Sequence, residues 1–344
     1  MGLPAPPQDP VSRRSLIEVE NLHIDFPRSD GTAVHAVNGV NLVLGEGETL
    51  GIVGESGCGK STVARALVGL IPAPGRVGAG RIRVDGLDLQ GASARRLRRM
   101  RGATAAMVFQ DPLSALNPVM TIGAQIEEAL ATHLGMSRRE RRDRAVSLLS
   151  DVGISDPVNR AKAYPHQLSG GMRQRAVIAI AISCSPKVLI ADEPTTALDV
   201  TVQAQILELL ARLRDSLGMS IVLVSHDLGV VAGTADRVAV MYAGTIVEQG
   251  SVFEVLGAPT HPYTEALLAS RMEIDADRKE RLHAIGGGAP SLQEPPTSCP
   301  FADRCAVVQD ECRTALPELA PTDSPSHLAA CFVRAPQSRL RKAV

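Results

Sequence analysis

Tryptophan is absent from this sequence, and aromatic residues make up only 2 % of its 344 positions. So few rings argue against the stacking platforms on which single-stranded nucleic acids are bound. An excess of one charge is lacking too, since 36 Lys and Arg face 37 Asp and Glu for a formal net charge of -1. Without a global field the chain is not drawn to nucleic acid or to an anionic membrane, and no nucleic-acid partner is expected. No apolar run approaches the roughly 18 residues that a membrane helix needs. Met1 to Ser15 is Pro-rich and polar, with no stretch to serve as a secretory signal. The chain is therefore expected to stay in the cytosol.

What is present divides unevenly. After a flexible tail at 1–15, residues 16–256 alternate short β-rich runs with helical patterns, the signature of an α/β domain around a mostly parallel sheet. From Gly257 to the end at 344 the texture changes. Pro and Gly become dense, and four of the six cysteines fall between 299 and 331, so this region reads as a separate C-terminal appendage.

The run Thr49–Val53 reads as a buried strand leading into Gly54-Glu55-Ser56-Gly57-Cys58-Gly59-Lys60-Ser61, the P-loop pattern G-x-x-x-x-G-K-[ST]. Its glycines let backbone N–H groups turn inward around phosphate oxygens, and the helix from Thr62 to Leu67 adds its positive end. The expected nucleotide contacts are Gly54, Ser56, Gly57, Gly59, Lys60, Ser61 and Thr62, with Lys60 reaching the β and γ phosphates and Ser61 ligating Mg²⁺. Downstream, Lys187 to Glu193 is an apolar strand ending in two carboxylates. Strand C-termini carry chemistry in open α/β sheets, so Asp192 is expected to hold Mg²⁺ and Glu193 to polarise the attacking water. A P-loop kinase would share these two features.

Leu168-Ser169-Gly170-Gly171-Met172-Arg173-Gln174-Arg175 resembles the signature of ABC ATPases. Ser169 with Gly170 and Gly171 opens a helix read as Gln174 to Ser183, so hydroxyl, N–H groups and helix dipole face one anion. The resemblance, over roughly residues 16–332, implies a fold: an α/β P-loop NTPase core of the ABC type, RecA-like, with an N-terminal antiparallel β subdomain, a helical signature subdomain near 111–176 and a small C-terminal metal-binding extension. It implies that Ser169 closes over ATP held by the opposite subunit of a dimer. Gln110 resembles the Q-loop residue that senses Mg²⁺ and the attacking water. Asp199 resembles the D-loop residue at the dimer interface, and His226, after the strand Ile221 to Val224, the switch histidine at the γ-phosphate. Phe26 stands where the family stacks a ring on adenine, although in the alternating run Ile17 to Phe26 it also reads as core.

Variants within the motifs resemble dipeptide and oligopeptide importers: Met172 in the signature, Phe109 to Pro118 around the Q-loop, and His261-Pro262-Tyr263-Thr264 after the cassette. That resemblance implies a second ATPase subunit or a homodimer, two integral membrane permease subunits, an extracytoplasmic peptide-binding protein, and a peripheral position on the cytoplasmic side of the membrane. Nickel or glutathione import and a regulatory ABC ATPase without transport are the alternatives.

Cys299, Cys305, Cys312 and Cys331 are separated by five, six and eighteen residues, and no C-x-x-C pair occurs. A zinc ribbon is therefore not the natural reading, and a reducing cytosol disfavours disulfides. Four thiolates suit a [4Fe–4S] cluster, which similar C-terminal extensions carry; zinc or unligated thiols are the alternatives. Cys58, at a variable P-loop position, is expected to make the site sensitive to thiol reagents. Cys184 reads as core within an apolar helix. The Arg-rich runs Arg95 to Arg101 and Ser137 to Arg144 read as solvated helix faces.

Overall fold

The computed structural model describes residues 14–196, 198–270, 286, 288 and 292–335; the tail at 1–13 and Ala197 lie outside them. The first sheet is built from β1 (Ser15–Pro27), β2 (Ala33–Gly45), β4 (Arg76–Val84) and β5 (Leu87–Asp88), all antiparallel in the order β2-β1-β4-β5. Ile17, Val19 and Ile24 of β1 are buried, as period-2 patterning predicts for a sheet with one covered face. An irregularity in pairing falls between Val19 and Leu22, where Asn21 takes a positive φ of 44°.

The second sheet holds β3 (Thr49–Val53), β6 (Ala105–Val108), β7 (Val188–Asp192), β8 (Ser220–Ser225), β9 (Arg237–Tyr242) and β10 (Thr245–Ser251), with β11 (Ala320–Pro321) and β12 (Leu328–Ala329) at one edge. Its order is β11-β12-β10-β9-β3-β8-β7-β6, and β9, β3, β8, β7 and β6 run parallel. Every residue of β3, β7 and β8 is buried, which explains why they are apolar apart from the end positions Thr49, Asp192, Ser220 and Ser225. Successive side chains divide between two cores. Leu50, Ile52, Val188, Ile190, Val222 and Val224 join the core under the antiparallel sheet, while Val53, Leu189, Ala191, Ile221 and Leu223 join the core with the helices.

Helices Ile122–His133, Arg138–Asp151 and Gly170–Ile182 supply Ile126, Leu148 and Ile178 to that second core. The signature helix begins at Gly170, four residues before the expected start. Ser169 accepts a hydrogen bond from the Met172 N–H and caps it. A side chain at Gly171 would bring its Cβ to 2.9 Å from Val202 Cγ1, so close packing against helix Val200–Leu217 requires the glycine there.

The region beyond Gly257 packs onto the central sheet. β12 pairs antiparallel with Glu248 and Gln249 of β10, extending the central sheet. Behind this edge, His327 Nε2 and Glu248 Oε1 lie 2.6 Å apart, both residues buried. Tyr263, on helix Pro262–Ala269, is fully buried. No helix of the described residues is long and apolar enough to cross a membrane.

The basic runs differ from expectation at Arg101 and at Arg141, whose Nη1 donates to the Met136 carbonyl at 2.7 Å. Arg101 is not on a solvated face: it donates to the carbonyls of Val68 and Gly69, which end the turn after the P-loop helix. The second run forms helix Arg138–Asp151, opened by a capping box between Ser137 and Glu140.

Candidate active site

Four neighbouring parallel strands deliver the site. The P-loop follows β3, Gln110 lies beyond β6, Asp192 and Glu193 end β7, and His226 follows β8, so the order β3-β8-β7-β6 gathers these groups at one edge of the sheet. Gly54 has φ 152°, and a Cβ there would lie 2.1 Å from the Met241 carbonyl oxygen; Gly59 has φ 104°, with its Cβ 2.3 Å from the Ala36 oxygen. Only glycine fits either position. Helix Lys60–Leu67 follows directly, and Gly59 offers no side chain to cap its first N–H groups.

Lys60 is buried, its Nζ donating to the carbonyls of Gly54 and Glu55 at 2.8 Å each. Ser61 Oγ donates to Asp192 Oδ1 at 2.8 Å. Burial raises the Asp192 pKa, against the pull of the Ser61 hydroxyl and of the charges on Arg65 and Lys60.

Glu193 takes φ 46°, a left-handed conformation that costs a non-glycine residue on the order of 1 kcal/mol or more. Its N–H donates to the Val224 carbonyl of β8, which holds this turn. Its Oε2 accepts from Gln110 Nε2 at 3.0 Å and from Thr196 Oγ1 at 2.9 Å, and His226 Nδ1 stands 3.3 Å away. A carboxylate, an amide and an imidazole thus converge on one point.

A cleft of about 570 Å³ connects these groups, within the range of small-ligand sites. Phe26, Val34, Ala36 and Leu292 contribute apolar surface, and Ser56, Lys60, Ser61, Thr62, Gln110, Glu193 and His226 polar surface. An elongated ligand with an apolar ring and a polyanionic end fits this division. Gly75 gives the Phe26 ring room, since a Cβ there would lie 2.4 Å from Phe26 Cε1. Ser169, Gly170, Gly171 and Asp199 do not line the cleft. They adjoin each other instead: Asp199 caps helix Val200–Leu217 through the Val202 N–H, and Leu198 approaches Gly170.

Residues 37–196 match the family described as ABC transporter. A putative peptide import ATP-binding protein of Brucella abortus (strain 2308) is 52 % identical over 297 residues, spanning 86 % of this chain and 89 % of that protein. The chain belongs to the ABC transporter ATPase family. This ABC ATPase also matches, over residues 247–312, the family described as oligopeptide/dipeptide transporter, C-terminal region. The dipeptide transport ATP-binding protein DppD of Bacillus subtilis (strain 168) is 49 % identical, spanning 93 % of the ABC ATPase and 95 % of DppD. A dimeric ATP-binding cassette solved in a post-hydrolysis state with ADP and Pi is 29 % identical at a TM-score of 0.62, covering 69 % of this chain and 98 % of the solved one.

The ABC ATPase has site residues that motif reading missed. Thr196 gave no signal beyond following Glu193 by three positions. Val34 and Leu292 carry no motif, and Leu292 reaches the cleft because its carbonyl accepts the His35 N–H at 2.7 Å. Two cysteine expectations are corrected. Cys58 is 6 % exposed and burial raises its thiol pKa, so it is not an accessible reactive thiol. Cys184 lies past the end of helix Gly170–Ile182 and is only half-buried.

The four C-terminal cysteines of the ABC ATPase lie close enough to influence one another. The Cys299 N–H donates to the Cys312 carbonyl at 3.0 Å. Burial pushes the Cys299 thiol up to about 11, with Cys312, Cys305 and Cys331 adding to the rise. Among the described residues, however, no group of three or more His, Cys, Asp or Glu is arranged to hold a metal ion.

Proposed function

We propose that this chain is the ATP-hydrolysing subunit of a peptide importer, working at the cytoplasmic face of a membrane. The observation that carries the reading is the convergence of Gln110, Thr196 and His226 on Glu193 in the cleft that Lys60 and Ser61 also line, with the Ser169 clamp outside it. A clamp that does not line its own cleft suits a site completed by a second cassette, either a homologous ATPase subunit or another copy of this chain. The solved relative named as a dimer supports that arrangement, and relatives named for dipeptide transport and peptide import support the substrate class.

In each site the backbone N–H groups of Gly54, Ser56, Gly57, Gly59 and Thr62 surround the phosphates, and Lys60 turns from its two carbonyls to the β and γ oxygens. Phe26 packs on the adenine. Ser61, Asp192 and Gln110 are the residues that would hold Mg²⁺, which when bound neutralises charge on the phosphates. Glu193 takes the proton of the attacking water, and Gln110 and Thr196 orient its carboxylate. His226 contacts the γ-phosphate, and Ser169, Gly170 and Gly171 contact it from the other cassette, with Asp199 beside that interface. Closure moves two integral membrane permease subunits, and an extracytoplasmic peptide-binding protein delivers the cargo.

Cys299, Cys305, Cys312 and Cys331 are proposed to hold a [4Fe–4S] cluster, which would cross-link the extension without entering the ATP chemistry. Their mutual proximity supports the reading. The absence, among the described residues, of three or more such side chains arranged to hold a metal ion weighs against cluster and zinc alike. Purification without oxygen tests it: iron and sulfide in the product support the cluster, and zinc without iron refutes it.

Co-expression with permease subunits, followed by uptake assays in vesicles, tests the main reading. ATP-dependent accumulation of dipeptides or oligopeptides is expected. A membrane complex that hydrolyses ATP without moving any peptide contradicts it.

A further inference from the structure

The P-loop residue Glu55 is held from outside the cassette motifs. Its N–H donates to Tyr263 Oη at 2.8 Å, and its carboxylate receives a two-pronged pair from Arg304, with Nη1 to Oε2 at 2.8 Å and Nη2 to Oε1 at 2.9 Å. Tyr263 and Arg304 both belong to the region after the cassette, and Arg304 is 249 positions away in sequence.

Arg304 is built into its place. Its side chain is 7 % exposed. Nη1 also donates to Tyr242 Oη at 3.2 Å, and Nε donates to the Gly286 carbonyl at 2.8 Å. The guanidinium lies 5.7 Å from the centre of the Tyr242 ring and 6.0 Å from that of Phe301. Those two rings pack against each other and against Tyr263. The Glu55 carboxylate raises the Arg304 pKa further, so the guanidinium is permanently charged.

An acidic side chain in a phosphate-binding loop repels the ligand that the loop exists to bind. Here the repulsion is cancelled, because Arg304 neutralises Glu55. The same contact anchors the loop at Glu55, whose carboxylate is held by Arg304 while its N–H is held by Tyr263. We propose that Arg304 is a positioning residue of the nucleotide site, which cancels the Glu55 charge and holds the P-loop in its phosphate-binding form. Arg304 does not line the cleft and touches no reacting atom. The C-terminal region thereby becomes part of the ATP site, whatever its cysteines carry. This inference rests on the nucleotide-site reading above.

The test is ATP affinity of the full chain, measured with a fluorescent ATP analogue and paired with thermal unfolding. Arg304→Met should weaken binding about tenfold or more, with the effect larger at low salt, because an unpaired carboxylate then stands in the phosphate-binding loop. Glu55→Gln combined with Arg304→Met should recover most of that loss. Arg304→Lys, which keeps the charge without the fork, should fall between. Arg313→Met breaks only the exposed pair with Asp303 in the same region and should change nothing. A purely structural role predicts that the double variant binds no better than Arg304→Met, and that result overturns the proposal. Wild-type affinity in Arg304→Met also overturns it. Lys60→Ala separates the two levels: if it still binds the analogue as wild type does, the nucleotide-site reading itself fails.

Discussion

Ser61, the last residue of the P-loop, and Asp192, the last residue of β7, meet through a 2.8 Å hydrogen bond, although 131 positions separate them. Parallel strands β3 and β7, both bonded to β8, bring them together. Ser61 and Asp192 are the residues proposed to hold Mg²⁺, which would supply charge neutralisation at the phosphates. Ser61→Ala and Asp192→Asn should therefore each raise the Mg²⁺ concentration for half-maximal hydrolysis by about tenfold. Nucleotide binding in the absence of Mg²⁺ should change far less. A magnesium titration of ATPase activity measures this, and an unshifted midpoint for both variants contradicts the assignment.

Stability should fall in mild acid through His261. Burial lowers its pKa from 6.5 to about 4, the charge on Arg334 adding to the shift and Glu248 opposing it. Between those values the unfolded chain binds a proton that the folded chain refuses, so the stability present above pH 6.5 is lost as the pH falls toward 4, by at most roughly 3 kcal/mol. His261→Asn keeps a residue able to cap the Tyr263 N–H but removes the titration. Denaturant unfolding across this range should show a shallower pH dependence in the variant by about one proton.

The thiol of Cys58 should resist alkylation in the folded protein near neutral pH, because burial both shields it and raises its pKa. Mass spectrometry after brief treatment with N-ethylmaleimide should find Cys58 unmodified until denaturant is added. Rapid labelling of the native chain would contradict its buried placement.

Much of the site is legible in the sequence because its motifs are local. Thr49–Val53 and Val188–Asp192 read as strands since both faces are covered and every position is apolar or small until the chemistry begins. The start of the signature helix was misplaced because Gly170 and Gly171 have low helix propensity, which the Ser169 cap and the approach of Val202 override. Burial of Cys58 and the inward turn of Arg101 depend on tertiary neighbours, and no spacing rule reports those. The Arg304 to Glu55 pair is the extreme case, since attention to the cysteines of Cys299-Pro300-Phe301-Ala302-Asp303-Arg304-Cys305 passes over the arginine between them.

ATP hydrolysis in this cleft, on the proposed reading, uses Glu193 as the base. Replacing Glu193 with Gln preserves the size of the side chain and a hydrogen-bonding amide oxygen but removes the charge that accepts a proton. The direct measurement is ATP turnover and ATP binding on the same preparation of Glu193→Gln. Binding should stay near that of the wild type, with turnover reduced at least about 100-fold. Turnover within a few fold of wild type, with ATP bound, would contradict that role for Glu193.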